Sequence, residues 1–176
     1  MVNGNSNNQK RGGSAVVLVF ALMALITACE KDNPASFSLI ADDTAAYVTE
    51  QRLDIFSLTN QTREGVGEIP LVLDPDLNLV AQAHARDMAA RNFFDHTNPD
   101  GLSPFDRLSA AGIEYRSAGE NIAWYPSAES AVQGWINSSG HYENLIRSSF
   151  GHIGIGVYKE NPDGPGNFYY VQIFTD

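Results

Sequence analysis

The sequence predicts one α+β domain in which helices pack on a sheet, and the spacing of its apolar residues is the main evidence. From Thr44 to Ile136 apolar residues recur at helical spacing and follow helix-capping residues. In the last third, "HIGIGVYK" alternates apolar residues with glycine and tyrosine, and nearly every residue of "NFYYVQIFT" suits a strand. The turn-rich connector "ENPDGPG" predicts an antiparallel hairpin. Helices followed by a terminal hairpin are typical of an α+β domain, and 176 residues with 43% hydrophobic residues are enough for one core.

The N-terminal segment has the composition of an export signal. Lys10 and Arg11 precede an apolar run from Ala15 to Ile26, which is too short for a membrane-spanning helix. The following "LITAC" resembles a bacterial lipobox, in which signal peptidase cuts before the cysteine and the thiol carries a diacylglycerol. This resemblance predicts that Cys29 is the lipidated first residue of the mature protein. The alternative is an ordinary signal peptide with an incidental cysteine.

The predicted organisation therefore has three parts: a lipoprotein signal peptide at 1–28, a lipidated tether at 29–43 and one domain at 44–176. We expect a protein of the bacterial cell envelope that is held to the membrane by the lipid on Cys29 and faces the periplasm or the cell exterior. A single cysteine allows no intramolecular disulfide.

The charge of the chain argues against nucleic acid as a partner. The sequence has 11 basic and 21 acidic side chains, a formal net charge of −10. Removal of the signal peptide would take away Lys10 and Arg11 and no acidic residue, so the mature protein would be more acidic still. Such a surface repels phosphate backbones.

The first two helices are predicted from periodicity and from their ends. The first helix runs from Thr44 to Arg63 and is ended by glycines. Asp74 is the predicted N-cap of the second helix, with Pro75 at its first position. One face of this helix is predicted to be buried, with the residues Leu77, Val80, Ala81, His84 and Met88. His84 is therefore interpreted as a core histidine with one hydrogen-bonded partner, and the aromatic pair Phe93 and Phe94 is predicted to anchor the helix end in the core.

Two further helices follow. The third has Ser103 as its cap, Pro104 at its first position and Asp106 three residues after the cap, an acidic variant of the capping box. The fourth runs from about Ser127 to Ile136, and its Trp135 is predicted to anchor the helix on the sheet.

Standard catalytic motifs are absent from the sequence: it has no G-x-S-x-G, no H-E-x-x-H and no P-loop. The polar residues that stand out are His96 in "FFDHT", Glu120 in "AGENIAW" and His141 in "SSGHYENLI". Two imidazoles and a carboxylate can bind a borderline-soft divalent metal. From spacing alone, three unrelated polar residues are the favoured interpretation.

A family resemblance favours a common site. The series "HARDMAARNFFDHTNPDG", "PFDRLSAAG", "GENIA", "AVQGWINSSGHYENLI", "IGIGVY" and "YYVQIF" resembles the CAP superfamily (cysteine-rich secretory proteins, antigen 5, pathogenesis-related 1) in its bacterial SCP-domain form. The resemblance covers about residues 50 to 174. It implies a three-layer α-β-α sandwich around an antiparallel sheet, with a cleft lined by two histidines and two glutamates that in some members holds zinc or another divalent ion.

The cleft histidines of this pattern fall on His96 and His141, and one glutamate falls on Glu120. The second glutamate has no match, because Ser138 occupies its position, three residues after the tryptophan of the fourth helix. The resemblance therefore implies at most weak binding of a divalent metal such as zinc, with water or Ser138 completing the coordination. Asn121 and Tyr142 are expected to lie behind the histidines and to fix the tautomers of their rings.

Members of the family are associated with sterols and other lipids, with signalling and more rarely with proteolysis, so the function has to be inferred from the site. We interpret the protein as a non-catalytic binding module whose cleft takes a small apolar ligand or an envelope partner, because the His/Glu cleft is not accompanied by a recognisable nucleophile motif. The alternative is a hydrolase. Ser138 or Ser139 would be its nucleophile, with His141 as base and Glu120 as the residue that orients the histidine. Metal-assisted hydrolysis would instead need Glu120 as its base.

Overall fold

The structure is a computed structural model that describes residues 46–161 and 164–176. The predictions for the signal peptide, Cys29 and the tether lie outside the described residues. In the part of the chain that the structure describes, no helix has the length and hydropathy needed to cross a membrane.

Five helices and four strands make up the described domain. The helices are α1 (Ala46–Gly65), α2 (Pro75–Arg91), α3 (Pro104–Ala110), α4 (Ala128–Ile136) and α5 (Ser139–Ile146), and the strands are β1 (Val72–Leu73), β2 (Ala118–Tyr125), β3 (His152–Lys159) and β4 (Phe168–Thr175). The first four helices lie where the sequence predicts them. The strands β1 and β2 and the helix α5 were not predicted from the residue pattern.

The strands form one sheet in the order β1-β3-β4-β2. The predicted hairpin is confirmed, because β3 pairs antiparallel with β4 from His152↔Thr175 to Lys159↔Phe168. On its other side β4 pairs antiparallel with β2 over eight residue pairs. The two-residue strand β1 adds a short parallel pairing to β3.

Two hydrophobic cores lie on opposite faces of the sheet. One core joins the sheet to α1, α4 and α5, and includes Ile55, Trp135, Leu145, Ile155, Tyr170 and Phe174. The other joins the sheet to α2 and α3, and includes Leu77, Ala81, Met88, Leu108, Ile122 and Val171. Successive residues of β4 alternate between the two cores, as the pleat requires. The domain is therefore an α-β-α sandwich of three layers, as predicted.

Helix α2 lies unusually close to β3. A Cβ atom added at Gly154 would overlap the main chain of Leu77, and one at Gly156 would overlap that of Ala81. The buried amide of Gln82 donates to the Val157 carbonyl at 2.8 Å and accepts from the Val157 N–H at 2.9 Å. The helix thus supplies hydrogen bonds to the part of β3 that β1 does not pair. This close packing holds α2 in a fixed position against the sheet.

Predicted helix ends are mostly confirmed. Asp74 accepts from the N–H groups of Asp76 and Leu77, and capping boxes close the starts of α3 and α4 at Ser103 and Ser127. Trp135 is 1% exposed and its indole N–H donates to the Ile122 carbonyl at 2.9 Å, so it anchors α4 on the sheet as predicted.

The predicted burial of both phenylalanines after α2 is wrong for Phe94. Phe93 is half-buried, whereas Phe94 is 51% exposed. The chain leaves α2 through Asn92 in the left-handed region, with φ 53°, and this turn carries Phe94 out along the surface of the sheet instead of into the core.

Candidate functional site

The segment after α2 positions His96. Inside α2, His84 is 1% exposed and its Nε2–H donates to the main-chain carbonyl of Asp95 at 3.0 Å. Burial lowers the pKa of His84, which keeps the ring neutral with its proton on Nε2. The core interpretation of His84 with one hydrogen-bonded partner is confirmed. The structure adds that this partner is the residue before His96, so His84 ties down the loop that presents it.

Glu120 is the centre of the site. It lies on the face of β2 that is turned toward α2, and its side chain is 2% exposed. The Nδ1–H of His96 donates to Oε1 at 2.8 Å, and Nη2 of Arg107 donates to Oε2 at 2.6 Å. Both carboxylate oxygens therefore hold a charge-assisted hydrogen bond, which is the way a buried carboxylate offsets its loss of hydration.

Arg107 is a site residue that the sequence analysis missed. Its Nη1 donates to the main-chain carbonyls of His96 and Leu102, at 2.9 and 3.0 Å, and its side chain is 10% exposed. Arg107 thus joins α3, the His96 loop and β2. A signal was present: between Asn92 and Tyr115 it is the one lysine or arginine in the sequence.

His141 reaches the site from α5, which packs along the outer edge of β2. The Asn121 amide donates to the main-chain carbonyl of His141 at 3.2 Å. The Asn144 amide donates to the Glu120 carbonyl at 3.2 Å and to Asn121 Oδ1 at 3.0 Å. Asn121 also donates to Gln172, so α5, β2 and β4 share one buried amide network. Asn121 therefore places the main chain of His141, whereas its predicted role was to fix a ring tautomer.

The pKa values of His96 and His141 are shifted in opposite directions. The hydrogen bond to Glu120 raises the pKa of His96. Burial, together with the positive charge of His96, lowers the pKa of His141. The structure thus brings His96 into contact with Glu120, while His141 is linked to this pair through the electrostatic influence of His96. In the pH range between the two pKa values, His96 is cationic and His141 is neutral.

Ser138, Ser139 and Tyr142 do not make the contacts that the sequence analysis expected of them. Ser138 is the N-cap residue of α5 without a side-chain cap hydrogen bond, and Ser139 is exposed. Within residues 46–161 and 164–176, neither serine side chain hydrogen-bonds to His141. Tyr142 packs against the core on the α1 side of the sheet instead of contacting an imidazole nitrogen.

These residues, as arranged, do not fit a bound divalent metal. Both oxygens of Glu120 are already engaged, one of them by the cation Arg107. Among the described residues no three His, Cys, Asp or Glu side chains are grouped so that they could hold a metal ion. A divalent ion would have to displace Arg107 and meet its positive charge at close range.

Comparison with known proteins agrees with this architecture. Residues 56–174 match the model of the CAP family, described as the cysteine-rich secretory protein family. The chain belongs to the CAP family. Its three-layer sandwich is therefore the fold of a CAP domain.

Two relatives of this CAP domain come from Bacillus subtilis. The uncharacterized protein YkwD of Bacillus subtilis is 43% identical over 106 residues, which cover 60% of this chain and 41% of YkwD. The uncharacterized membrane protein YlbC of the same organism is 36% identical over 127 residues, which cover 72% of this chain and 34% of YlbC. The chain thus spans well under half the length of either relative.

Two solved structures share the fold. An extracellular SCP-domain protein of Bacillus anthracis matches with a TM-score of 0.66 and 34% identity, covering 73% of this chain and 41% of that one. An outer surface protein of Borrelia burgdorferi matches with a TM-score of 0.66 and 24% identity, covering 72% of this chain and 92% of that one.

Proposed function

We propose that this CAP domain is a non-catalytic binding module of the bacterial cell envelope, and that its cleft of His96, Glu120, His141 and Arg107 takes a small ligand. One observation carries the proposal: both oxygens of Glu120 are held by cationic or hydrogen-bonding partners. A carboxylate in this state is a poor general base, because proton uptake would break its bond to Arg107. The same contacts preorganise the cleft, and preorganisation favours binding.

The chemistry of the ligand follows from the groups that line the cleft. Glu120 uses Nδ1 of His96, so Nε2 is the nitrogen that can meet a ligand, and the His96 side chain is 46% exposed. When His96 is protonated, Nε2–H donates, which suits an acceptor such as a hydroxyl, carbonyl or carboxylate oxygen. Leu102 is 42% exposed and lines a pocket together with Arg107. We therefore propose a mainly apolar molecule with one acceptor group.

The location is supported by the sequence and by the relatives. The lipobox-like "LITAC" supports lipid anchoring through Cys29. One structural neighbour is an extracellular protein, another is an outer surface protein, and one relative is a membrane protein by name. These descriptions favour a domain on the outer side of the cytoplasmic membrane.

The binding proposal is tested on protein isolated from the bacterial envelope. Native mass spectrometry should show a small molecule bound to the wild-type domain, and His96→Ala should release it. His152→Ala is the matched control, because this exposed histidine lies on β3 away from Glu120. A wild type without bound mass, or equal retention in His96→Ala, would contradict the proposal.

A second measurement tests the hydrolase alternative. A fluorophosphonate probe reacts with activated serines, and we expect no adduct because no described contact activates Ser138 or Ser139. An adduct on either serine that disappears in His141→Ala would establish a nucleophile and overturn the non-catalytic assignment.

A further inference from the structure

Three aromatic rings form a shallow pocket on the same face of the sheet as Glu120. Trp124 lies four residues after Glu120 on β2, and Tyr169 is its direct partner on β4. The ring centroids of Trp124 and Tyr169 are 6.2 Å apart. Phe94, which the turn after α2 carries out of the core, lies with its ring centroid 6.5 Å from that of Tyr169.

This pocket is open to solvent. Trp124 is 45% exposed and Phe94 is 51% exposed, whereas Tyr169 is 7% exposed and forms the floor. Large aromatic rings are costly to leave in water, and an exposed cluster of them marks a binding site more often than a scattered single ring does. Ile122, between Glu120 and Trp124 on this face of β2, is buried and separates the pocket from the cleft.

An acidic side chain completes the wall. The pocket has a volume of about 230 Å³ and is also lined by Asn92, Phe93 and Glu160. Burial and the negative charge of Glu160 together raise the pKa of Tyr169, so the carboxylate lies close to the aromatic floor. The site thus combines ring faces with a negative charge.

We propose that Phe94, Trp124, Tyr169 and Glu160 bind an alkylated ammonium group. The faces of aromatic rings carry negative potential, and a cation above several rings is attracted to all of them. Methyl groups on the nitrogen spread the charge over an apolar surface that the rings can bury, and Glu160 supplies the counter-charge. The net charge of −10 on the chain favours the approach of a cation.

The ring geometry favours a cation over a sugar. The planes of Trp124 and Phe94 are tilted by 33° and 48° against Tyr169, so the rings surround a volume instead of forming a flat platform. A sugar would need several directed hydrogen bonds. Of the six residues that line the pocket, four are aromatic, and Asn92 and Glu160 alone would have to satisfy most of the hydroxyl groups of a sugar. A compact trimethylammonium group needs no directed hydrogen bond.

Choline is the probe for this site. Trp124 fluorescence should change saturably as choline is added to the full-length protein. The uncharged tert-butyl analogue of choline should bind at least about fivefold more weakly. Trp124→Leu should weaken choline binding, read by the NMR shifts of the Tyr169 ring, by about tenfold, and Glu160→Gln by about threefold. Tyr125→Leu is the matched control, because Tyr125 is 40% exposed on the opposite face of the same strand.

The outcomes separate this proposal from its rivals. Equal binding of choline and its uncharged analogue, no response to choline, or wild-type affinity in Trp124→Leu would each overturn it, as would tighter binding of N-acetylglucosamine than of choline. Vesicles of phosphatidylcholine and of phosphatidylglycerol then distinguish a lipid headgroup from a free ligand: binding to the former alone identifies a headgroup, and choline binding without vesicle binding identifies a free ligand. Choline binding is read at Trp124 and Tyr169, so the outcome does not depend on the ligand of the cleft.

Discussion

Replacement of Glu120 by glutamine tests the charge arrangement of the cleft. The variant keeps the size of the side chain and removes its charge. Glutamine offers one acceptor oxygen, so of the two donors that now bond to the carboxylate, Arg107 at 2.6 Å and His96 at 2.8 Å, one would face an amide NH₂ group. Arg107 is 10% exposed and would remain as a largely buried cation without its counter-ion.

The size of the effect follows from these two losses. Breaking a buried ion pair by removing one partner costs about 3 to 5 kcal/mol. The glutamine oxygen retains one hydrogen bond to a charged donor, which is worth about 1.5 kcal/mol or more. We therefore expect Glu120→Gln to lower the free energy of unfolding by about 2 to 3 kcal/mol.

The matched control is an exposed ion pair of similar length. Glu143 and Arg147 lie 2.8 Å apart on one turn of chain, with side chains 69% and 39% exposed. Such a pair contributes at most about 1 kcal/mol, so Glu143→Gln should have little effect. Urea denaturation with linear extrapolation measures both variants. A loss in Glu120→Gln no larger than that in Glu143→Gln would refute the buried-pair argument.

The loss of stability in Glu120→Gln should depend on pH. Glu120 raises the pKa of His96 in the folded protein above its unfolded value of about 6.5. This contribution to stability is complete below the unfolded pKa and is lost as the pH rises through the folded pKa. The stability gap between wild type and Glu120→Gln should therefore be larger at about pH 5.5 than at about pH 8.5. An NMR titration should show the pKa of His96 falling in the variant, and an unchanged pKa would disprove the assignment of its cause.

Four other predictions concern the fold, the anchor and metal binding. Trp135→Ala should cost about 3 to 5 kcal/mol in denaturation experiments, because it empties a fully buried site and leaves the Ile122 carbonyl without its donor. Gly156→Ala should cost about 3 kcal/mol or prevent folding, since a Cβ atom there meets the main chain of α2, and a near-neutral thermal shift would contradict the close packing. Cys29→Ala should move the protein from the membrane fraction to the soluble fraction, or leave it uncleaved, and unchanged fractionation would end the lipoprotein hypothesis. Calorimetric titration with Zn²⁺ should show at most weak binding by the wild type, because Arg107 holds one oxygen of Glu120, and tight binding would show that the contacts of the buried carboxylate rearrange.

The parts of the fold that local chemistry dictates are those that the sequence predicts. Asp74 and Ser127 start their helices through bonds to neighbouring N–H groups, so their effect is visible in a short stretch of sequence. Strand β2 was missed because four consecutive residues from Glu120 to Ala123 are buried, which removes the alternation that identifies a strand. Helix α5 was missed because it has eight residues, with glycine at its second position and Leu145 as its one buried residue, so no apolar periodicity marks it.

In the candidate site, too, some residues can be assigned from a sequence pattern and others only from the folded structure. A family pattern pointed to His96, Glu120 and His141, and the structure brings the first two into direct contact. Arg107 could not be assigned in the same way, because its role depends on a contact with β2 that no local pattern encodes. For Phe94 the local signal was misleading. Its apolar character predicts burial, but the direction of the turn after α2 leaves the ring exposed.

Arg107 and Ser138 together change the kind of ligand that the cleft favours. A second carboxylate at position 138 would make the cleft a cation site, but serine contributes no charge there. Arg107 balances the charge of Glu120, and a protonated His96 adds a positive charge beside a neutral His141. The cleft is therefore neutral or positive, on a chain whose net charge is −10. Local charge at contact distance outweighs the screened field of distant side chains, so the cleft should select an acceptor or an anion, while the aromatic pocket beside Glu160 selects a cation.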